Sequence, residues 1–194
     1  MKRVKLVVAY DGTNYCGWQI QPNGITIEEI LNRQISKLTG EDIRIIGASR
    51  TDSGVHALGN VAVFDTESRI PGDRFAYALN QKMPEDIVIV RSDEVQIDWH
   101  PRYQNEISKT YEYHIYNAKV RNPLKNRYST FVSFDLDVEK MRQGAKYILG
   151  EHDFASFCNV RTNAKDTVRT VHEMTITEIP MDKFQASNWG QENS

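Results

Sequence analysis

Between Thr26 and Gly40 the chain carries Ile27, Ile30, Leu31, Ile35 and Leu38 at the three-to-four-residue spacing of a helix with one apolar face. Thr26 stands three residues before Glu29, a capping-box spacing, and Gly40 supplies the stop. A helix bounded this sharply sits among β-branched runs. Val4 to Tyr10 reads as a strand entering an Asp11-Gly12 turn, and Ile43 to Ile46 and Val61 to Phe64 read as two more. Asp73 to Lys82 has a helical pattern that Pro84 ends, and Ile87 to Val90 is a further apolar strand run. The first half is therefore ordered β-α-β-β-α-β, a ferredoxin-like sequence of elements.

The second half follows a similar outline without a residue-level repeat. Lys109 to Tyr116 sets Tyr111, Tyr113 and Ile115 against Glu112, His114 and Tyr116, the alternation of a half-buried strand. Val138 to Leu149 has helical spacing with Gly150 as its stop, and Val168 to Ile179 alternates as a strand. The expected fold is α+β, two related halves around one antiparallel sheet, with the second half incomplete. The boundary is expected at 98/99: residues 1–98 form one half and 99–194 the other.

Charge excludes several classes. The 194 residues hold 24 Lys+Arg and 26 Asp+Glu, a net −2, which is neither a uniformly basic nucleic-acid binder nor an acidic tail. The average hides an asymmetry: His100 to Thr130 has six cations and two anions, so +4 there leaves −6 elsewhere. Tyr103, Tyr111, Tyr113, Tyr116 and Tyr128 lie among those cations. Such interleaving suits phosphate neutralisation with base stacking, and equally a solvated strand face whose tyrosines pack inward. Cys16 and Cys158 are isolated and the five histidines follow no ligand spacing, so no metal site is expected. No apolar stretch is long enough for a membrane span or a signal segment, which leads us to expect a soluble intracellular protein.

The stretch Gly47-Ala48-Ser49-Arg50-Thr51-Asp52-Ser53-Gly54-Val55-His56-Ala57 is the most informative. It places one carboxylate, Asp52, in a tight turn between strands, bracketed by glycines that let a ligand approach the backbone. Asp-Ser-Gly is also ordinary turn chemistry, in which the aspartate bonds to its own backbone. The residues alone leave both readings open.

Four blocks together resemble the tRNA pseudouridine synthase A family. They are Arg50 to Ala57, with Ser53 where the family usually has Ala; Tyr10 to Tyr15 with Gly17-Trp18-Gln19; Ser108 to Tyr113; and Gly150 to Phe157 followed by Val168-Arg169-Thr170. The resemblance implies isomerisation of uridine to pseudouridine at positions 38, 39 and 40 of the tRNA anticodon stem-loop. It implies a cytoplasmic homodimer with tRNA as its partner, no cofactor and no metal, and no membrane association. Asp52 matches the family's nucleophile, attacking C6 of uracil or C1′ of ribose. Arg50 matches a residue that fills the space vacated by the flipped base or holds a phosphate. Tyr111 matches the tyrosine that stacks on the base, although core packing would explain a tyrosine there too. Arg169, His152, Phe154, Lys109 and Arg102 are carried over as tRNA or site-wall contacts.

The family continues into a Phe-Leu-x-x-Met-Val-Arg segment that this sequence lacks. The resemblance makes its arginine the charge partner of the catalytic aspartate. The expectation is therefore a C-terminally truncated or frameshifted chain, or one completed by another chain. The alternative function is that of a tRNA-binding protein with impaired or absent catalysis.

Overall fold

The computed structural model describes residues 1–103, 108–158 and 166–179. The chain divides into two compact units, Met1–Tyr111 and Glu112–Ser194.

The first unit contains β1 (Lys2–Tyr10), α1 (Ile27–Thr39), β2 (Ile46–Gly47), β3 (Ala57–Thr66), α2 (Phe75–Asn80) and β4 (Ile87–Val95). The strands form one sheet in the order β2-β3-β1-β4, with every neighbouring pair antiparallel. This is the β-α-β-β-α-β arrangement, and the chain has an α+β fold. Alternation along β1 sends Val4, Leu6, Val8 and Tyr10 into the core, where they meet Ile27, Leu31 and Ile35 of α1 and Phe75 and Leu79 of α2. Phe64 of β3 meets Phe75 edge-on, with ring centroids 5.2 Å apart. On the other sheet face Arg3 forks onto both carboxylate oxygens of Asp65 and donates to the Trp99 carbonyl, and Lys5 lies over the Trp99 ring.

Helix α1 is capped as its sequence dictates. Thr26 Oγ1 accepts from the Glu29 N–H at 3.3 Å, and Gly40, at φ +77°, ends the helix with its N–H on the Ser36 carbonyl. Three other elements differ from their expected extents. The strand expected over Ile43 to Ile46 is reduced to Ile46–Gly47, because the N–H groups of Ile43 and Ile45 go to Ser36 Oγ and Asn32 Oδ1 of α1 instead of a strand. The helix expected from Asp73 begins as a 3-10 turn, Gly72–Arg74, and becomes α-helical at Phe75. β4 runs to Val95 rather than Val90, with a register shift against Val7/Val8 of β1. Asn80 ties the end of α2 to this region: its amide donates to the Ile89 carbonyl at 2.9 Å and accepts from the Ile89 N–H at 2.8 Å.

The second unit contains β5 (Ile115–Asn117), β6 (Thr130–Val132), α3 (Val138–Lys146), β7 (Gly150–Asp153) and β8 (Val168–Val171). β5 and β6 pair in parallel, and β7 and β8 pair antiparallel. The half-buried strand expected over Lys109 to Tyr116 is not formed. Only Ile115–Asn117 is strand, and Tyr111 and Tyr113 are 83% and 75% exposed. Helix α3 ends at Lys146, where the Tyr147 and Ile148 N–H groups turn back onto Gly144 and Ala145. β8 stops at Val171; beyond it the Ile176 carbonyl is taken by Arg142 Nε. Ala145 is the only buried residue among the described residues of this unit. Among the described residues no helix is long and apolar enough to cross a membrane.

Candidate active site

The stretch between β2 and β3 is a turn whose tip is exposed and whose base is fixed. The Ala48 N–H donates to the Val61 carbonyl at 2.7 Å, prolonging the β2–β3 ladder, and the Arg102 Nε–H donates to the Gly47 carbonyl at 2.8 Å. Above this base the Val55 N–H closes the turn onto the Asp52 carbonyl at 3.2 Å, with Gly54 at φ +78°. Arg50, Asp52, Ser53 and Gly54 are exposed. Among the described residues no hydrogen bond or ion pair holds the Asp52 carboxylate, so the backbone sets its position.

A second loop, Asp11 to Trp18, lies against the turn. The Trp18 N–H donates to the Thr51 carbonyl at 3.0 Å, and the Tyr15 carbonyl accepts from the Gly54 N–H and the Ser53 hydroxyl at 3.3 and 3.2 Å. Gly17 is required by this approach: at φ +80°, a Cβ there would lie 2.5 Å from the Thr51 carbonyl oxygen. The loop is anchored in turn by its side chains. The Tyr15 hydroxyl donates to Asp86 at 2.5 Å, and Asp11 lies 3.0 Å from His56 Nδ1. Burial first, then the carboxylate of Asp86, push the Tyr15 phenol well above its ordinary value. Trp18, 2% exposed, presses its indole against Gly47, where a Cβ would sit 2.5 Å from Nε1.

Beneath the turn lies a buried polar set. The Tyr10 hydroxyl is 2.8 Å from Thr51 Oγ1 and accepts from Asn60 Nδ2 at 3.4 Å; the same amide donates to the Ser49 carbonyl at 3.1 Å. Burial raises the Tyr10 phenol, against the two hydrogen bonds, which favour its charged form. Sequence reasoning did not single out Tyr10 or Asn60 as site residues. The available signal was Tyr10 on the inward face of β1, where a buried hydroxyl requires a bonding partner.

The structure thus brings Asp52, Arg50 and Arg102 to one end of the first unit, Arg102 at the base of the turn. Lys109 and Tyr111 are exposed, and Tyr111 has no hydrogen-bond or ring partner among the described residues. In the second unit His152 pairs with Arg169 across the β7–β8 ladder, its Nε2 2.8 Å from the Leu149 carbonyl. The Arg169 guanidinium turns onto the Val168 carbonyl, and the Phe154 ring lies against His152 and Phe157. Among the described residues no three His, Cys, Asp or Glu side chains gather in a way that could hold a metal ion.

The family model described as tRNA pseudouridine synthase matches residues 6–104 and 145–187, and the first of these segments contains the whole of the Asp52 turn and the loop against it. The chain belongs to this family. It is 48% identical over 191 residues to a tRNA pseudouridine synthase A of Acetivibrio thermocellus, covering 98% of this chain and 78% of that protein. The enzyme of the same name from Thermoanaerobacter sp. is 45% identical over 176 residues, 91% of this chain and 72% of the relative. That of Brevibacillus brevis is 44% identical over 179 residues, 92% and 73% respectively.

Proposed function

We propose that this chain is an isomerase that converts uridine to pseudouridine in tRNA, at positions 38, 39 and 40 of the anticodon stem-loop. The observation that carries this reading is the Asp52 turn of a pseudouridine synthase family member: an exposed carboxylate on a backbone tied down from two sides. Residues 1–98 would carry the catalytic turn, and 99–194 the basic and aromatic surface that faces tRNA.

The chemistry asks for little beyond such a carboxylate. The glycosidic bond between C1′ and N1 breaks, a bond between C1′ and C5 forms, the C5 proton leaves and N1 gains one. Asp52 acts as the nucleophile, at C6 of uracil or C1′ of ribose, and is regenerated, so no cofactor or metal enters the balance. A uridine in a stem must first leave the stack, which costs a few kcal/mol and less near a loop. Once flipped, the base covers the exposed tip and excludes water from the reacting groups. Arg50, two residues away, would fill the vacated space or hold a phosphate, and Tyr111 would stack on the uracil. Lys109, Arg102, His152, Phe154 and Arg169 would line the tRNA path. The reading includes a homodimer working in the cytoplasm.

The test is to map the product. After incubation with tRNA transcripts, carbodiimide-dependent reverse-transcription stops are expected at positions 38 to 40. Stops confined to other regions of the tRNA would contradict the assignment.

A further inference from the structure

We infer that Tyr10 and Asn60 are positioning residues for the reaction, holding the Arg50-Thr51-Asp52 turn from beneath through Thr51 Oγ1 and the Ser49 carbonyl. The inference rests on the reading of the site as a pseudouridine synthase centre. Tyr10 is 4% and Asn60 8% exposed, so their polar atoms must be bonded within the protein or carry a desolvation cost. They meet that need through each other and through the turn. Asn60 Nδ2 supplies two protons, one to the Ser49 carbonyl and one to the Tyr10 oxygen. Because Tyr10 accepts from Asn60, its own proton is available to Thr51 Oγ1, 2.8 Å away. The two attachment points, on Ser49 and Thr51, flank Arg50, and Thr51 is the residue before Asp52.

Both anchors stand on sheet strands, Tyr10 at the end of β1 and Asn60 in β3, which pair with each other. Thr51 is also held through its carbonyl by the Trp18 N–H. Its main chain and side chain are thus tied to different elements, while the Asp52 carboxylate has no such tie among the described residues. Thr51 is therefore the fixed point on the N-terminal side of Asp52, with Ser53 and Gly54 held to the Tyr15 carbonyl on the other side. A displacement of about 1 Å at a reacting group costs on the order of 100-fold in rate, so loosening Thr51 should reach the chemistry without touching tRNA binding.

The test uses the full chain with Tyr10→Phe, Thr51→Val, their double variant, and Thr51→Ser. Phe preserves the buried ring, and Val preserves the shape of Thr without its hydroxyl. Each single variant should lower kcat roughly 10- to 100-fold with KM for tRNA changed less than about threefold. The double variant should fall no further than the worse single, since both remove one bond. Thr51→Ser, which keeps the oxygen, should stay within about threefold of the starting kcat. A second readout needs no activity: exchange of the Gly54 and Val55 amides should quicken at least about tenfold in Tyr10→Phe, with the α1 amides unchanged. Starting-level kcat in both single variants, multiplicative losses in the double, or unchanged exchange at Gly54 and Val55 would overturn the inference. An unsubstituted chain inactive on tRNA would instead overturn the functional reading, and the exchange measurement would still decide the positioning.

Discussion

The Trp18 N–H donates to the Thr51 carbonyl at 3.0 Å, joining the loop that follows β1 to the turn that precedes β3. The Tyr15 carbonyl, which accepts from the Gly54 N–H and the Ser53 hydroxyl, joins the same loop to the turn farther along, and two glycines make the close approach at Trp18 possible. Gly17 removes the Cβ that would strike Thr51, and Gly47 removes the one that would strike the Trp18 indole.

Replacing Gly17 by Ala should therefore cost more than the left-handed backbone alone explains. Gly40 is the control, because it has nearly the same φ but open space where a Cβ would go. Gly40→Ala is expected to destabilise by about 1–2 kcal/mol. Gly17→Ala should exceed it by at least about 1 kcal/mol, since backbone atoms must move. Urea unfolding of the two variants side by side makes the comparison; equal losses would show that the contact with Thr51 does not constrain the loop.

Trp18 is the largest fully buried side chain of this region, tilted against Tyr10 with ring centroids 6.0 Å apart. Trp18→Ala should destabilise the first unit by about 3–5 kcal/mol through lost burial and the cavity left behind. A loss under about 1 kcal/mol in chemical denaturation would mean that the ring is not part of the core.

Tyr10 and Tyr15 set an alkaline limit. Both phenols are raised above 10.0 in the folded chain, Tyr10 by burial, Tyr15 by burial and then by Asp86. A group raised on folding gives stability that is complete below its unfolded value and is lost as the pH climbs through the folded one. Stability should thus be steady up to about pH 10 and decline above it. Phenolate absorbance just above pH 10 should be the same in Tyr10→Phe, Tyr15→Phe and the unsubstituted chain. An immediate drop in either variant would show that its phenol titrates freely.

Asp153 sets an acid limit on the β7–β8 pair. The Thr167 hydroxyl, then the Ala155 N–H, hold its carboxyl below 3.8. A depressed carboxyl gives stability that is present above its unfolded value and disappears as the pH falls through the folded one. The Ala155 amide should keep its chemical shift down to pH 3.8 and move toward an unbonded value below it. Asp153→Asn should abolish that acid transition; an unaltered transition in the variant would assign it to another group.

The parts of the fold that local chemistry decides were legible in the sequence. Helix α1 carries its own cap, apolar face and stop within fifteen residues, and the order of elements in the first half follows from such signals. Extents decided by distant residues were not. Ile43 and Ile45 look like strand until Ser36 and Asn32 claim their N–H groups, and the tyrosine alternation from Lys109 looks like a buried strand where Tyr111 and Tyr113 face solvent. At the site the motif pointed to Asp52 and Arg50 directly. The Tyr10–Thr51 and Asn60–Ser49 bonds join residues 41 and 11 positions apart, and only the sheet register brings them together.

The most direct measurement is tritium release from tRNA labelled at C5 of uridine, since forming the bond between C1′ and C5 expels that hydrogen. The unsubstituted chain should release tritium, and Asp52→Ala should fall to background. Its unfolding free energy should change by no more than about 0.5 kcal/mol, because the side chain is exposed. Equal release from the two proteins would contradict the assignment of Asp52 as the nucleophile.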